Sequence, residues 1–312
     1  MLGLGLGVQE ADMTATLAKL HLPSGEIKFH YHDDELALRQ FVQQGYVIYE
    51  GLIEPQLVRD VHDFIASKYR KLQLACKEDV NGFAVAIMRA LERSPFYEQL
   101  VHSWKLVSLA KQYVGPDVAW FAHDGLFINM PADKDPVLLK GLHTDVWTGT
   151  GINTVFCAVF FTDCDEYNGL SVWPGSHLQG LQPVQNRALA YPGQFDSHFK
   201  PLNLSMVKAG DIVLWHPLTI HATTGHSDKN IRISMTSRFT STETPMTSQE
   251  RSLGYRVLSA GPLNQVMRLV GNDYLLPNRT LGGYVGVDRR MADVYNYSPY
   301  KTGIDYDQYL KE

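Results

Sequence analysis

Cysteine is scarce in this chain. Only Cys76, Cys157 and Cys164 occur in 312 residues, and no two form a C-x-x-C pair. That excludes a disulfide framework and a thiolate zinc site, and it fits a reducing compartment, so a cytoplasmic protein is expected. An excess of positive charge is also lacking. The chain has 28 Lys and Arg against 33 Asp and Glu, a net charge of −5, with no basic cluster or stripe. Nucleic acid is therefore not an expected partner. No apolar run approaches the roughly 18 residues needed to cross a bilayer. Residues 1–8 are apolar but short, and no Lys or Arg precedes them, so neither a secretory signal nor a membrane partner is read there.

What is present suffices for a sizeable core: hydrophobic residues make up 45% and aromatics 11%. Gly3, Gly5 and Gly7 have no strand before them, so residues 1–30 read as an N-terminal arm and not as a nucleotide loop. From Asp34, Leu36, Leu38, Phe41 and Val42 fit one helix face, which Gly45 ends. The Asp residues of His32-Asp33-Asp34 read as helix caps. Residues 46–49 form a short strand. Pro55 then opens a second helix with a stripe of Leu57, Val58, Val61, Phe64, Ile65 and Tyr69. A further helix over residues 95–113 turns Leu100, Trp104, Leu106, Leu109 and Ala110 inward. From Asp117 the pattern changes to short strands and turns. Strands are expected at 118–122, 126–130, 155–161, 170–173, 204–207 and 212–215, with Asn168-Gly169 as a hairpin signal. Residues 178–203 are irregular for long enough to suggest a functional loop. Many short strands without a βαβ rhythm imply a closed or sandwiched antiparallel fold. A helix over 262–270 and a Tyr-rich end (Tyr295, Tyr297, Tyr300, Tyr306, Tyr309) follow.

The His-x-Asp pattern occurs three times, at His32, His143 and His226, so the motif alone decides nothing. His143-Thr144-Asp145 stands apart because an apolar run follows it. On a strand, His143 and Asp145 point to one side. They make two thirds of the set of two His and one carboxylate that holds Fe(II) and leaves the opposite positions open. The clearest alternation lies at residues 230–239. Ile231, Ile233 and Met235 face one way, and Arg232, Ser234, Thr236 and Arg238 the other. Taken alone, that polar face reads as solvated; the alternative is a barrel interior that receives an anion.

His221 follows Asp145 by 76 residues and precedes Arg232 by 11. Together with Asn168-Gly169, Pro174-Gly175-Ser176-His177 and Gly210-Asp211, this order resembles the phytanoyl-CoA dioxygenase family of Fe(II)/2-oxoglutarate oxygenases over residues 34–240. The resemblance implies a mainly β double-stranded β-helix, a cupin-like jelly roll with flanking helices. It divides the chain into the arm and one domain, 31–312, with a helical flank at 34–115, a core at about 117–240 and an extension at 245–312. It implies Fe(II) on His143, Asp145 and His221, with 2-oxoglutarate and O2 taking the open positions. Arg232 would fork onto the far carboxylate of 2-oxoglutarate, with Ser234, Thr223 and Asn129 as further co-substrate contacts. It implies an enzyme that decarboxylates 2-oxoglutarate to succinate and CO2 and hydroxylates an unactivated C–H bond of a small molecule. A cupin-like isomerase and a non-catalytic ligand-binding barrel are the alternatives.

Trp147 reads equally as a substrate wall or as core. Arg238 and Lys140 read by default as surface charge, with contact to an anionic substrate as the second reading. His177 reads as structural, His216 and His226 as turn residues, and Trp173 and Trp215 as core. The substrate and the oligomeric state are not legible.

Overall fold

The computed structural model describes residues 28–75, 80–121, 125–129, 141–145, 153–185, 188–190, 192–193, 199–223, 231–241, 255–269 and 310. The helical flank comes first. Strand β1 (Lys28–Phe29) precedes α1 (Asp34–Gln44), which ends at Gly45 with φ +79°. The amide of Gly45 donates to Phe41 O at 2.8 Å, closing the last turn in the left-handed geometry that glycine adopts without a Cβ penalty. Asp33 occupies the cap position of α1, but its carboxylate accepts from the upstream His30 amide instead of capping the helix. The buried face of α1 carries Ala37 and Gln40, whereas Leu36 and Val42 are exposed. The apolar residues expected to face inward thus flank the true contact line, which half-buried Phe41 joins.

Strand β2 (Tyr46–Tyr49) leads to α2 (Pro55–Ala75), whose Val58, Val61 and Ile65 are buried as their spacing predicts, with Leu72 beyond the expected stripe buried as well. Next comes α3 (Val80–Glu92), a helix the sequence reading did not identify. Its Phe83, Ala84, Ala86, Ile87, Met88 and Leu91 are all buried. A helix covered on more than one side shows no clean stripe. The single helix expected over 95–113 is two, α4 (Pro95–Val101) and α5 (Trp104–Val114), separated at His102-Ser103. The break resets the helical phase. Trp104, expected inward, is 67% exposed and lies edge-on to Tyr31, while Leu106, Leu109 and Ala110 are buried.

The strands that follow are β3 (Val118–Phe121), β4 (Gly125–Asn129), β5 (Thr154–Phe160), β6 (Leu170–Val172), β7 (Val184–Gln185), β8 (Ala188–Leu189), β9 (Leu202–Asn203), β10 (Ile212–Trp215), β11 (His221–Thr223), β12 (Arg232–Ser241) and β13 (Tyr255–Val257). Helix α6 (Pro262–Leu269) closes the described chain apart from Leu310, which packs into the helix-side core. Eight strands form a large sheet in the order β1-β2-β10-β5-β12-β3-β13, with β4 beside β3 along the same edge of β12. Three form a small sheet, β11-β6-β9. Strands β7 and β8 pair within the segment read as irregular.

Period-two alternation decides what each face of the large sheet meets. Val47, Cys157, Val159, Ile212, Leu214, Ile233 and Met235 pack against the helices. Tyr46, Ile48, Phe156, Ala158, Phe160, Val213 and Trp215 point the other way, onto Val172, Leu204 and Val207 from the small-sheet side. Strand β5 is buried along its whole length, so its sequence TVFCAVF is continuously apolar. The result is a helix layer over the large sheet of a jelly roll, with the small sheet opposite.

Three turn and strand expectations change. Asn168-Gly169 does not close a hairpin: β5 belongs to the large sheet and β6 to the small one, so the turn carries the chain across the roll. Asp165 organises it, accepting from the amides of Tyr167 and Asn168, while Asn168 Oδ1 accepts from Asp165 N. The strand expected at 204–207 lies at Leu202–Asn203, with a turn after it. The polar face of β12 is not solvated: Arg232, Ser234 and Arg238 are all buried, on the interior side. No helix among the described residues is long and apolar enough to cross a membrane.

Candidate metal centre

The turn between β10 and β11 organises the site. Its backbone is held from three directions. Gly45 O accepts from His216 N at 2.8 Å and from Thr219 Oγ1 at 2.7 Å. Ile220 N donates to Ser176 Oγ at 2.9 Å, and Trp173 N donates to Ile220 O at 2.9 Å. The expected strand around His143 is a single bridge: His143 and His221 exchange both backbone hydrogen bonds, at 3.1 and 3.0 Å. Asp145 N donates to Pro217 O at 2.9 Å. Segments 141–145 and 217–221 are thus clamped together although 76 residues separate Asp145 from His221.

Three side chains converge there. His143 Nε2 lies 3.8 Å from Asp145 Oδ1, and His221 Nε2 lies 3.4 Å from Asp145 Oδ2. One ligand-type atom from each falls within 4.8 Å of the others, and all three residues are buried, so the group could hold a metal ion. Tautomers follow from the far ring nitrogens. His143 Nδ1 sits 2.7 Å from Gly141 O, and His221 Nδ1 sits 3.0 Å from Thr219 O. A carbonyl only accepts, so each Nδ1 carries the proton and each Nε2 presents a lone pair to the shared point. The two imidazoles stand 4.1 Å apart, centre to centre.

Trp215, buried in the core as expected, also reaches this cluster. Its indole N–H donates to Asp145 Oδ2 at 2.9 Å. The only signal in the sequence is chemical: an indole facing the interior of a strand must find an acceptor.

The second polar group surrounds Arg232, itself 3% exposed. Nη1 donates to Asn168 O at 2.9 Å and Gly169 O at 2.7 Å; Nη2 donates to Asn129 Oδ1 at 2.8 Å. Asn129 is the direct partner of Arg232 across β4 and β12, which brings the pair together. A guanidinium has five N–H donors, so two remain. One of them is Nε–H, buried without a hydrogen-bond partner, as is Asn129 Nδ2. Among the described residues no carboxylate pairs with Arg232. Burial presses its pKa below the ordinary value, partly offset by Cys164. A desolvated cation with an open edge calls for an anion. Nearby, burial pushes the Cys164 thiol up to about 12.

The other expected residues fall as follows. Ser234 is buried on the same face of β12 as Arg232. Thr223 is half-buried at the end of β11, on the side of that strand that His221 occupies. Arg238, read by default as surface charge, is 3% exposed, with its guanidinium 5.3 Å from the centre of the Phe156 ring. His177 is structural: Nε2 lies 2.9 Å from Val42 O. His216 accepts from Leu218 N and stays outside the cluster. Trp147, Lys140, His226, Cys76, the arm through residue 27 and the tyrosines at the end lie outside the described residues.

No curated protein matches this chain. Among solved structures it is similar to the epimerase SnoN in complex with Fe3+, alpha ketoglutarate and nogalamycin RO, at 18% identity over 69% of this chain and 86% of that one, TM-score 0.54. It is similar to the non-heme monooxygenase ThoJ, at 15% identity over 79% and 98%, TM-score 0.58. It is also similar to EctD from S. alaskensis with 2-oxoglutarate and 5-hydroxyectoine, at 14% identity over 72% and 81%, TM-score 0.54. At such identities the likeness establishes the jelly-roll fold. The family profile described as Phytanoyl-CoA dioxygenase (PhyH) matches residues 41–234, more than half of the sequence. A jelly roll with this buried His-Asp-His group and a match of that extent have one common account: the chain belongs to the phytanoyl-CoA dioxygenase family, enzymes that work with Fe(II), 2-oxoglutarate and O2.

Proposed function

We propose that His143, Asp145 and His221 hold the Fe(II), that Arg232 anchors 2-oxoglutarate, and that the enzyme hydroxylates an unactivated C–H bond of a small molecule. The observation that carries this reading is the orientation of the two imidazoles. Each is fixed through Nδ1 so that Nε2 faces one carboxylate, and all three residues are buried. Imidazole and carboxylate suit Fe(II), and three protein ligands leave positions for a co-substrate and O2. When bound, the iron supplies the coupling of O2 to the decarboxylation of 2-oxoglutarate, giving succinate and CO2 and transferring one oxygen atom to substrate.

The residues of the chain do the rest. Arg232 offers the edge formed by Nε–H and the unused Nη2–H, a fork that fits the far carboxylate of a dicarboxylate. Asn129 holds that fork in place and has its own Nδ2 donor to spare. Ser234 and Thr223 line the same interior as hydroxyl contacts. Arg238, beside Phe156, and Trp147 are assigned to the substrate side. The burial of the three ligands, Arg232 and Arg238 keeps water from the reacting centre. Residues 31–312 are assigned to one oxygenase domain.

Solved structures of this fold include proteins named as an epimerase and as a carbocyclase, so product mass is the deciding measurement. A panel of small molecules is incubated with Fe(II) and 2-oxoglutarate, and succinate formation is followed. We expect slow succinate release without substrate, faster release with a hit, and a product heavier by one oxygen. A product lighter by two hydrogens, or equal in mass, would replace hydroxylation with ring closure or epimerisation. No succinate under any condition would remove the 2-oxoglutarate chemistry.

A further inference from the structure

We propose that Trp215 is a positioning residue for the metal carboxylate. Its indole N–H holds Asp145 Oδ2 and so fixes the orientation in which the carboxylate meets the metal. This rests on the reading of Asp145 as an iron ligand.

The geometry is specific. Trp215 ends β10 in the large sheet, whereas Asp145 lies on the segment that bridges to the small sheet. Their 2.9 Å hydrogen bond therefore spans the interior of the roll, and both residues are buried. The indole cannot swing away easily. Phe156 stacks against it at 5.6 Å and 22°, and the His221 ring lies 5.3 Å from it on the metal side. Phe156 and Trp215 are direct cross-strand partners of β5 and β10, so the stack is built into the sheet register.

Held so, Asp145 turns Oδ1 toward His143 Nε2 at 3.8 Å and keeps Oδ2 3.4 Å from His221 Nε2. A carboxylate free to rotate samples many orientations; one pinned by a charge-assisted hydrogen bond presents its charge in one. The indole is thus placed to keep the carboxylate turned to both imidazoles, in the orientation a bound metal would need.

The test is Trp215→Phe, which keeps the stack with Phe156 and removes only the N–H. Co(II) replaces Fe(II) in anaerobic titrations followed by its visible ligand-field absorption. We expect the affinity for Co(II) to fall roughly 10- to 100-fold, the range for losing an outer-shell partner. The band should also change, as a carboxylate no longer held in one orientation predicts. Unchanged affinity and an unchanged spectrum overturn the proposal. If Asp145→Ala binds Co(II) as well as the unaltered chain does, Asp145 is not a ligand, and the metal reading fails together with this inference. Should Trp215→Phe not fold, the unaltered protein supplies the test. The Trp215 indole N–H resonance should exchange more slowly than that of exposed Trp104 and move when Zn(II) is added. A Trp215 resonance that Zn(II) leaves in place overturns the proposal.

Discussion

Replacing Arg232 with Lys keeps a positive charge and removes the planar fork, so it isolates what the fork contributes. Three of the five guanidinium donors are occupied by Asn168 O, Gly169 O and Asn129 Oδ1. The two left over, including the unpartnered Nε–H, are those assigned to the far carboxylate of 2-oxoglutarate. A hydrogen bond to a charged group contributes about 1.5–3 kcal/mol. Lysine retains one such contact and forfeits the other, which is roughly a 10- to 150-fold loss in affinity. The same substitution abandons two buried carbonyls and Asn129, so stability and every affinity will shift somewhat. A thermodynamic cycle removes that common part. Binding of 2-oxoglutarate and of 2-oxobutyrate, which lacks the far carboxylate, is measured by anaerobic calorimetry with Co(II) for both proteins. The preference for 2-oxoglutarate should shrink by the factor above in Arg232→Lys, while 2-oxobutyrate loses far less. An equal loss for the two ligands would refute the assignment, because the guanidinium would then not be reading that carboxylate.

Other consequences can be checked independently. Asp145→Ala should weaken Co(II) binding by more than about 100-fold, since a direct ligand outweighs an outer-shell partner; titration decides. Gly45→Ala places a Cβ 2.5 Å from both His177 Nδ1 and Thr219 Oγ1 at φ +79°. The left-handed geometry alone costs about 1–2 kcal/mol, so urea unfolding should show a loss at least that large. Burial, with His177 as a lesser contributor, pushes the His216 pKa down to about 4 from 6.5. Between those two values the unfolded chain binds more protons than the folded one, so this residue's contribution to stability falls as pH drops through the window. His216→Asn keeps an acceptor for Leu218 N and should flatten the difference in urea midpoint between pH 7 and pH 5. An identical slope would place the acid sensitivity elsewhere.

Much of this architecture can be read directly from residue order. The stop of α1 at Gly45, the stripe of α2 and the strands at 46–49 and 212–215 each depend on local chemistry, and each lies where that chemistry puts it. Readings failed where the deciding partner is distant in sequence. Trp104 faces solvent because a break two residues earlier resets the helix. Leu36 and Val42 are exposed because the sheet beneath α1 selects a line through Ala37 and Gln40. Asn168-Gly169 resembles a hairpin in isolation, yet its flanking strands belong to different sheets.

The same division holds at the site. By itself the sequence determined which chemistry is affordable: an imidazole and a carboxylate two residues apart, a second imidazole 76 residues on, and an arginine on an alternating strand. Tertiary structure alone decided that these groups meet. Alternation cannot tell a solvated face from a barrel interior, because both are polar every second residue. Only the folded roll, which brings the 168–169 turn and Asn129 onto Arg232 and Phe156 beside Arg238, makes the two buried cations. Nor does any local pattern connect Trp215 to Asp145. Their hydrogen bond exists because the roll brings the ends of two sheets within 2.9 Å.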